Sequence, residues 1–269
     1  MASSHHDLPT LEELGRDLLH VSASRRAFSL VLPFALTALF FVLAGRGLWL
    51  PALICPVALS FFTYASISHD LVHANLRLPR LLNESLLCAT ELLALRSGHA
   101  YRIAHLHHHA SFPAAEDLEG AAARMPWWRA LADGVTLQAR LWLFAVRLAG
   151  PQRVWVIWEG VAVVLLIATS VLAVAATPLP LLYCALMIAG SWVYPLMTSY
   201  VPHLPEGASE LWQTRLFRGR VLSWLALEHL YHLEHHLYPR VPHHRWPELA
   251  RRLDPHFARL GLRPVRILF

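Results

Sequence analysis

Two stretches of this chain are almost free of charge. Between Ala27 and Ser68 the only charged side chain is Arg46, and between Val154 and Pro205 the only one is Glu159. Each stretch is about twice the roughly 20 residues that a helix needs to cross a bilayer. Each is also broken near its middle by turn-forming residues, Gly45-Arg46-Gly47 in the first and Thr177-Pro178-Leu179-Pro180 in the second. Both therefore read as helical hairpins, with spans predicted near residues 28–44, 48–67, 154–176 and 179–199. Pro33, Pro51, Pro56 and Pro195 fall inside these spans, where lipid tolerates proline better than water does. Composition agrees: 56% of the 269 residues are hydrophobic and 15% charged, against about 25% charged in a soluble domain. That excludes an ordinary soluble domain, and it excludes disorder.

Four spans return the chain to its starting face. The N-terminus, residues 69–153 and the tail from Tyr200 onward then share one side, which holds every arginine except Arg46. All 23 basic residues are arginine, and the positive-inside rule makes this side cytoplasmic. The first 20 residues are polar, with Asp7, Glu12, Glu13 and Asp17, unlike a signal peptide. Glu159, one turn inside its span, is expected to reach the headgroups. Residues 137–148 read as a helix along the interface, anchored near Trp127-Trp128, and the arginine-rich tail 246–266 as a solvated or lipid-facing amphipathic helix. No basic stripe interleaved with aromatics is present, so nucleic acid is not an expected partner. Three cysteines (Cys55, Cys88 and Cys184) can make neither a disulfide scaffold nor a four-thiolate metal site. They read as small hydrophobes.

The 18 histidines are clustered. His69-Asp70-Leu71-Val72-His73 follows the second span and places two imidazoles at i and i+4, on one helical face. His105-Leu106-His107-His108-His109 and His232-Leu233-Glu234-His235-His236 each place three at i, i+3 and i+4. Three such clusters on one side of the membrane can converge on a metal site. Imidazole suits zinc, copper, iron and nickel. One zinc is satisfied by four ligands, so eight histidines point to two metals. Two adjacent redox metals suit dioxygen activation and an unactivated C–H bond in lipid, which favours two irons over zinc without deciding it.

These clusters, in this order and between two hairpins, resemble the membrane fatty acid desaturase superfamily, which includes acyl-lipid desaturases, hydroxylases, and carotenoid ketolases and hydroxylases. The resemblance runs from about His69 to Leu249. It includes Ser97-Gly98-His99-Ala100-Tyr101-Arg102 before the second cluster, and is most specific at Tyr231-His232-Leu233-Glu234-His235-His236-Leu237-Tyr238-Pro239 followed by Val241-Pro242. It implies an all-α integral membrane protein of about four transmembrane helices in two hairpins, with a cytoplasmic helical cap holding a histidine-rich di-iron site. Residues 1–27 would be a cytoplasmic N-terminal segment and 28–269 the desaturase-like domain, in a bacterial inner membrane.

The implied ligands are His69 and His73; His105, His108 and His109; and His232, His235 and His236. His203, in Tyr200-Val201-Pro202-His203, matches a ninth family histidine just past the fourth span. His107 leaves the second cluster open to another register, and His229 stands on the stripe of His232, as ligand or neighbour. His99 reads as structural, and His243, His244 and His256 as interfacial. Asp70, Asp117 and Glu234 are expected to stand behind the ligands and accept their remaining imidazole N–H.

The resemblance implies two non-haem iron ions, dioxygen as co-substrate, and a lipid substrate taken from the bilayer. With no Gly-x-Gly-x-x-Gly fingerprint and no four-cysteine cluster in the chain, electrons are expected from a separate ferredoxin or cytochrome. The second cluster and its lead-in favour a fatty-acyl desaturase. The alternative is a carotenoid ketolase or hydroxylase, which Tyr200-Val201-Pro202-His203 and Pro205 also resemble. A membrane metal carrier is a remote alternative, because no clustered histidine falls mid-span.

Overall fold

The structure, a computed structural model, describes residues 8–219 and 229–266. Helix α1 (Ala23–Gly45) starts at Ser22, whose hydroxyl accepts the Arg25 amide, and stops at Arg46-Gly47, where Gly47 takes a φ of +75°. That turn sends α2 (Trp49–Phe62) back alongside α1. Without a break, α2 runs through a π-helical turn, Thr63–Ile67, into α3 (Ser68–Val72). Helices α4 (Arg80–Leu93), α5 (Gly98–Ser111) and α6 (Trp127–Leu148) lie between the hairpins. The second hairpin is α7 (Arg153–Leu172) and α8 (Leu179–Ser191), and a second π-helical turn, Pro195–Tyr200, follows α8. The short α9 (His232–Leu237) and α10 (Trp246–Arg259) follow.

Three helical runs, Arg16–Gly45, Gly150–Ala175 and Leu179–Tyr200, are long and apolar enough to cross a membrane, and Trp49–Ser60 is a shorter apolar helix. Val31, Leu50, Ile54, Val164 and Leu172 point outward from these helices and are exposed. Such an apolar exterior suits lipid and not water. One small β ribbon, absent from the all-helical expectation, pairs β1 (Phe217–Arg218) in parallel with β2 (Val265–Arg266).

Two expectations are corrected by how the middle and the tail of the chain pack. The first concerns residues 69–153, expected to stay on one face. Instead α4 and α5 form a hairpin whose tip is inserted among the spans. The Leu93 carbonyl accepts the Tyr183 hydroxyl at 2.7 Å, and that hydroxyl lies 3.2 Å from Thr37 Oγ1. Thr37 is 14 residues into α1, about 21 Å along the helix. Charges at this depth are paired internally. Arg96 holds Glu91 at 2.7 Å with both side chains buried, and Arg102 pairs with Glu84.

Glu159 belongs to the same network and does not reach headgroups. It is 1% exposed and accepts from Ser97 Oγ at 2.6 Å, the His99 amide at 3.0 Å and His99 Nδ1 at 2.7 Å. A buried charge costs several kcal/mol unless paired and hydrogen-bonded, and here each one is. The second correction concerns the tail. The apolar face of α10 is neither solvated nor lipid-facing: Trp246, Leu249, Leu253 and Phe257 are buried against Leu14, Leu18 and Leu233. Arg252 fastens this layer by donating to both carboxylate oxygens of Asp17 and to the Leu14 carbonyl.

Candidate metal centre

The ends of these helices deliver nine histidines to two adjoining groups. His69, His73, His105, His109 and His235 form one; His108, His203, His232 and His236 form the other. Within each, the ligand-capable nitrogens all lie within 4.8 Å of one another. Helical geometry explains the motif. Around a helix i+4 lies about 40° to one side of i and i+3 about 60° to the other, so on α5 His105 and His109 enter the first group and His108 the second. On α9 the roles are exchanged: His232 and His236 enter the second group and His235 the first. The two groups adjoin, with His109 and His236 ring centroids 4.5 Å apart.

The spacing fits a metal ion. Two imidazole nitrogens bonded at about 2.1 Å and at right angles stand about 3.0 Å apart. In the first group Nε2 of His235 lies 2.9 Å from that of His69 and 2.7 Å from that of His109, which is 3.2 Å from that of His105. In the second, Nε2 of His203 lies 3.1 Å from that of His108 and 3.2 Å from those of His232 and His236. Among the described residues no hydrogen-bond partner reaches the buried Nε2 of His73. A ring nitrogen whose lone pair is left unmatched in a cluster of other imidazoles is what a cation would satisfy.

Protonation agrees with this fit. Burial, then the neighbouring histidines, pushes His69, His235 and His236 well below the ordinary histidine range, and burial with His105 takes His73 down to about 2. Neutral imidazole is the form that binds metal. His108 is the exception. Burial opposes its protonation, but the hydrogen bond to Asp117, 2.7 Å from Nδ1, and the Glu119 and Asp117 charges outweigh it.

Carboxylates behind the clustered histidines differ from the expected set. Asp117 backs His108 as foreseen, while Asp70 and Glu234 face no imidazole of either group. Asp70 accepts from His243, at 2.7 Å from Nδ1 and 3.0 Å from the amide, and Glu234 pairs with Arg218 at 2.6 Å. Both sit next to a ligand-position histidine on a helix, and consecutive helical residues point about 100° apart. His243 is accordingly buried and not interfacial. The carboxylate missed is Glu119, 3.1 Å from His105 Nδ1. Burial raises Asp117 and Glu119, yet their histidine partners outweigh it and hold both below the usual carboxylate range. His203 is fixed instead by a carbonyl, Ser199 O, 2.9 Å from Nδ1. Nothing in the spacing marks Glu119, which reaches the site from the loop after α5.

The other histidines lie apart. His107 meets Ser111 and the Phe144 ring, and His99 is held between Glu159 and Glu84. The His229 side chain lies outside the described residues. Cys55, Cys88 and Cys184 are free thiols.

Two apolar cavities lie among the helices. One of about 630 Å³ lies between α5, α6 and α7 and is bounded by Tyr101, whose ring is 5.4 Å from that of His105. The other, about 420 Å³, lies between α2, α8 and the second π turn. The family model described as fatty acid desaturase matches residues 47–266, most of the chain and all nine of these histidines. No curated protein matches it.

Proposed function

Because the chain belongs to the fatty acid desaturase family, we propose that it is an oxygen-dependent di-iron oxidoreductase that desaturates long fatty-acyl chains. The observation that carries this reading is the pair of adjoining histidine groups, one of five imidazoles and one of four, with His69, His73 and His203 just past the apolar helices. His69, His73, His105, His109 and His235 would hold one iron, and His108, His203, His232 and His236 the other. Imidazole suits iron, and two irons bound there would supply dioxygen activation and removal of hydrogen from an unactivated C–H bond.

The chain's own residues prepare that chemistry. Asp117, Glu119 and the Ser199 carbonyl hold His108, His105 and His203 by Nδ1, which turns each Nε2 inward and makes the ring a stronger donor. The Trp246 ring packs 5.3 Å from His69 and 5.2 Å from His235, and the Phe112 ring 4.5 Å from His203. These aromatic walls keep water from the imidazoles. An acyl chain dissolved in the bilayer can approach through the apolar cavities without leaving hydrocarbon surroundings.

In this reading α1, α2, α7 and α8, with the π turns that prolong α2 and α8, cross a bacterial inner membrane. Residues 28–269 form the desaturase domain, and both termini and the metal site face the cytoplasm. A separate ferredoxin or cytochrome brings electrons to the arginine-rich face, where opposite charge favours encounter. The test is expression in a host of defined lipid composition, with gas chromatography of fatty-acid methyl esters. A new unsaturated peak, absent from His235→Ala, is expected. Unchanged fatty acids together with a new keto or hydroxy pigment in a carotenoid-producing host would overturn the acyl assignment.

A further inference from the structure

Three tyrosines are stacked beside the histidines. The Tyr64 ring lies between those of Tyr101 and Tyr194, with centroids 4.5 Å away on each side and ring planes 25° and 24° from parallel. Each belongs to a segment that delivers ligand-position histidines. Tyr64 is in the π turn that leads to His69, Tyr101 is one helical turn before His105, and Tyr194 precedes the π turn that leads to His203. π-helical turns inside helices are frequent at functional sites.

The stack is held from both ends. On the far side, Arg96 lies 4.9 Å from the Tyr194 ring centre and 5.4 Å from that of Tyr64, fixed by Glu91 and Thr63. On the near side, Tyr101 donates to the Tyr64 carbonyl at 2.7 Å, and Tyr64 donates to Glu119 at 3.0 Å. The same Glu119 oxygen is the one beside His105 Nδ1. Stacking alone would be served by phenylalanine. The Tyr64 hydroxyl adds a link from the stack to a histidine of the five-membered group. The outer rings face the cavities: Tyr101 bounds the larger one and Tyr194 the smaller.

We propose that this stack is a positioning device that senses a hydrocarbon chain: a chain seated against Tyr101 sets the Tyr64–Glu119–His105 line and, with it, the ligand geometry of the five-histidine group. The proposal rests on the two-iron reading above. The occupant is the apolar tail of a bilayer lipid, because the cavity mouth is formed by exposed apolar residues of the α6 and α7 faces, Leu143, Val161 and Val164 among them, and its inner wall is in ring contact with His105. Packed rings at 4.5 Å leave no slack to absorb a displacement. Coupling of this kind travels through packed side chains and hydrogen bonds.

The experiment is Mössbauer spectroscopy of the protein loaded with iron-57 and reduced, with and without stearic acid. In the wild type, stearic acid is expected to shift the quadrupole splitting of one iron site and leave the other in place. Tyr64→Phe is expected to keep both irons and lose the shift. Ala139→Trp, which fills the cavity mouth from an exposed position away from the stack, should lose it too. Val135→Trp, exposed one turn earlier on α6 and outside the cavity lining, should retain it. A shift that survives Tyr64→Phe or Ala139→Trp overturns the proposal, and Ala139→Trp decides alone if Tyr64→Phe does not fold. If the wild type makes no unsaturated fatty acid and responds to β-carotene instead, the acyl reading fails while the relay stands, provided that Tyr64→Phe abolishes that response. No response to either chain overturns the relay.

Discussion

Asp117 is placed to hold one of the clustered histidines from behind. Its carboxylate is buried, meets His108 Nδ1, and accepts the Gly120 amide at 3.0 Å. Partners that fix a ligand imidazole are worth about 10–100-fold in metal affinity, so Asp117→Asn should lower iron affinity by that factor, measured by competition with a chelator. Gly120→Ala should act in the same direction without removing any polar group, because a Cβ there would collide with the Asp117 carboxylate. An alanine variant with undiminished affinity would show that the seat of Asp117 is not needed. At this scale the sequence was legible only in part. Eight of the nine histidines stand out by their spacing, and His203 enters only through the family resemblance. Of their carboxylate partners Asp117 was marked and Glu119 was not, since adjacency to a histidine drew attention to Asp70 and Glu234 while Glu119 arrives from a loop.

The hairpin of α4 and α5 is where charge misled. Arg96, Glu91, Glu84 and His99 suggest a segment outside the membrane, and a sequence gives no sign that these groups neutralise one another in space. The pairing can be tested as a unit. Removing one partner of a buried ion pair costs about 3–5 kcal/mol, whereas replacing both by apolar residues is often neutral. Arg96→Leu alone should therefore destabilise the folded protein strongly, and Glu91→Leu with Arg96→Leu should recover most of the loss in thermal unfolding in detergent. Equal losses in the single and the double variant would mean that the pair is not the source. The apolar hairpins themselves were legible, because an uninterrupted run of apolar residues has few other uses. The π turns that prolong α2 and α8 toward His69 and His203 were not, since no residue type marks them.

For the whole molecule, the arginine distribution predicts an orientation with the histidine groups on the cytoplasmic side. A cysteine in place of Arg46 should react with an impermeant thiol reagent added outside intact cells, and one in place of Ala115 should not; the reverse pattern would invert the topology. The central claim is that two groups of histidines hold two irons. Its most direct measurement is metal content per chain by mass spectrometry on protein purified from iron-replete cells. About two irons per chain are predicted, falling to about one when His203, which serves only the four-histidine group, is replaced by alanine. A single metal per chain in the wild type, or stoichiometric zinc with full activity and no iron, would contradict the account.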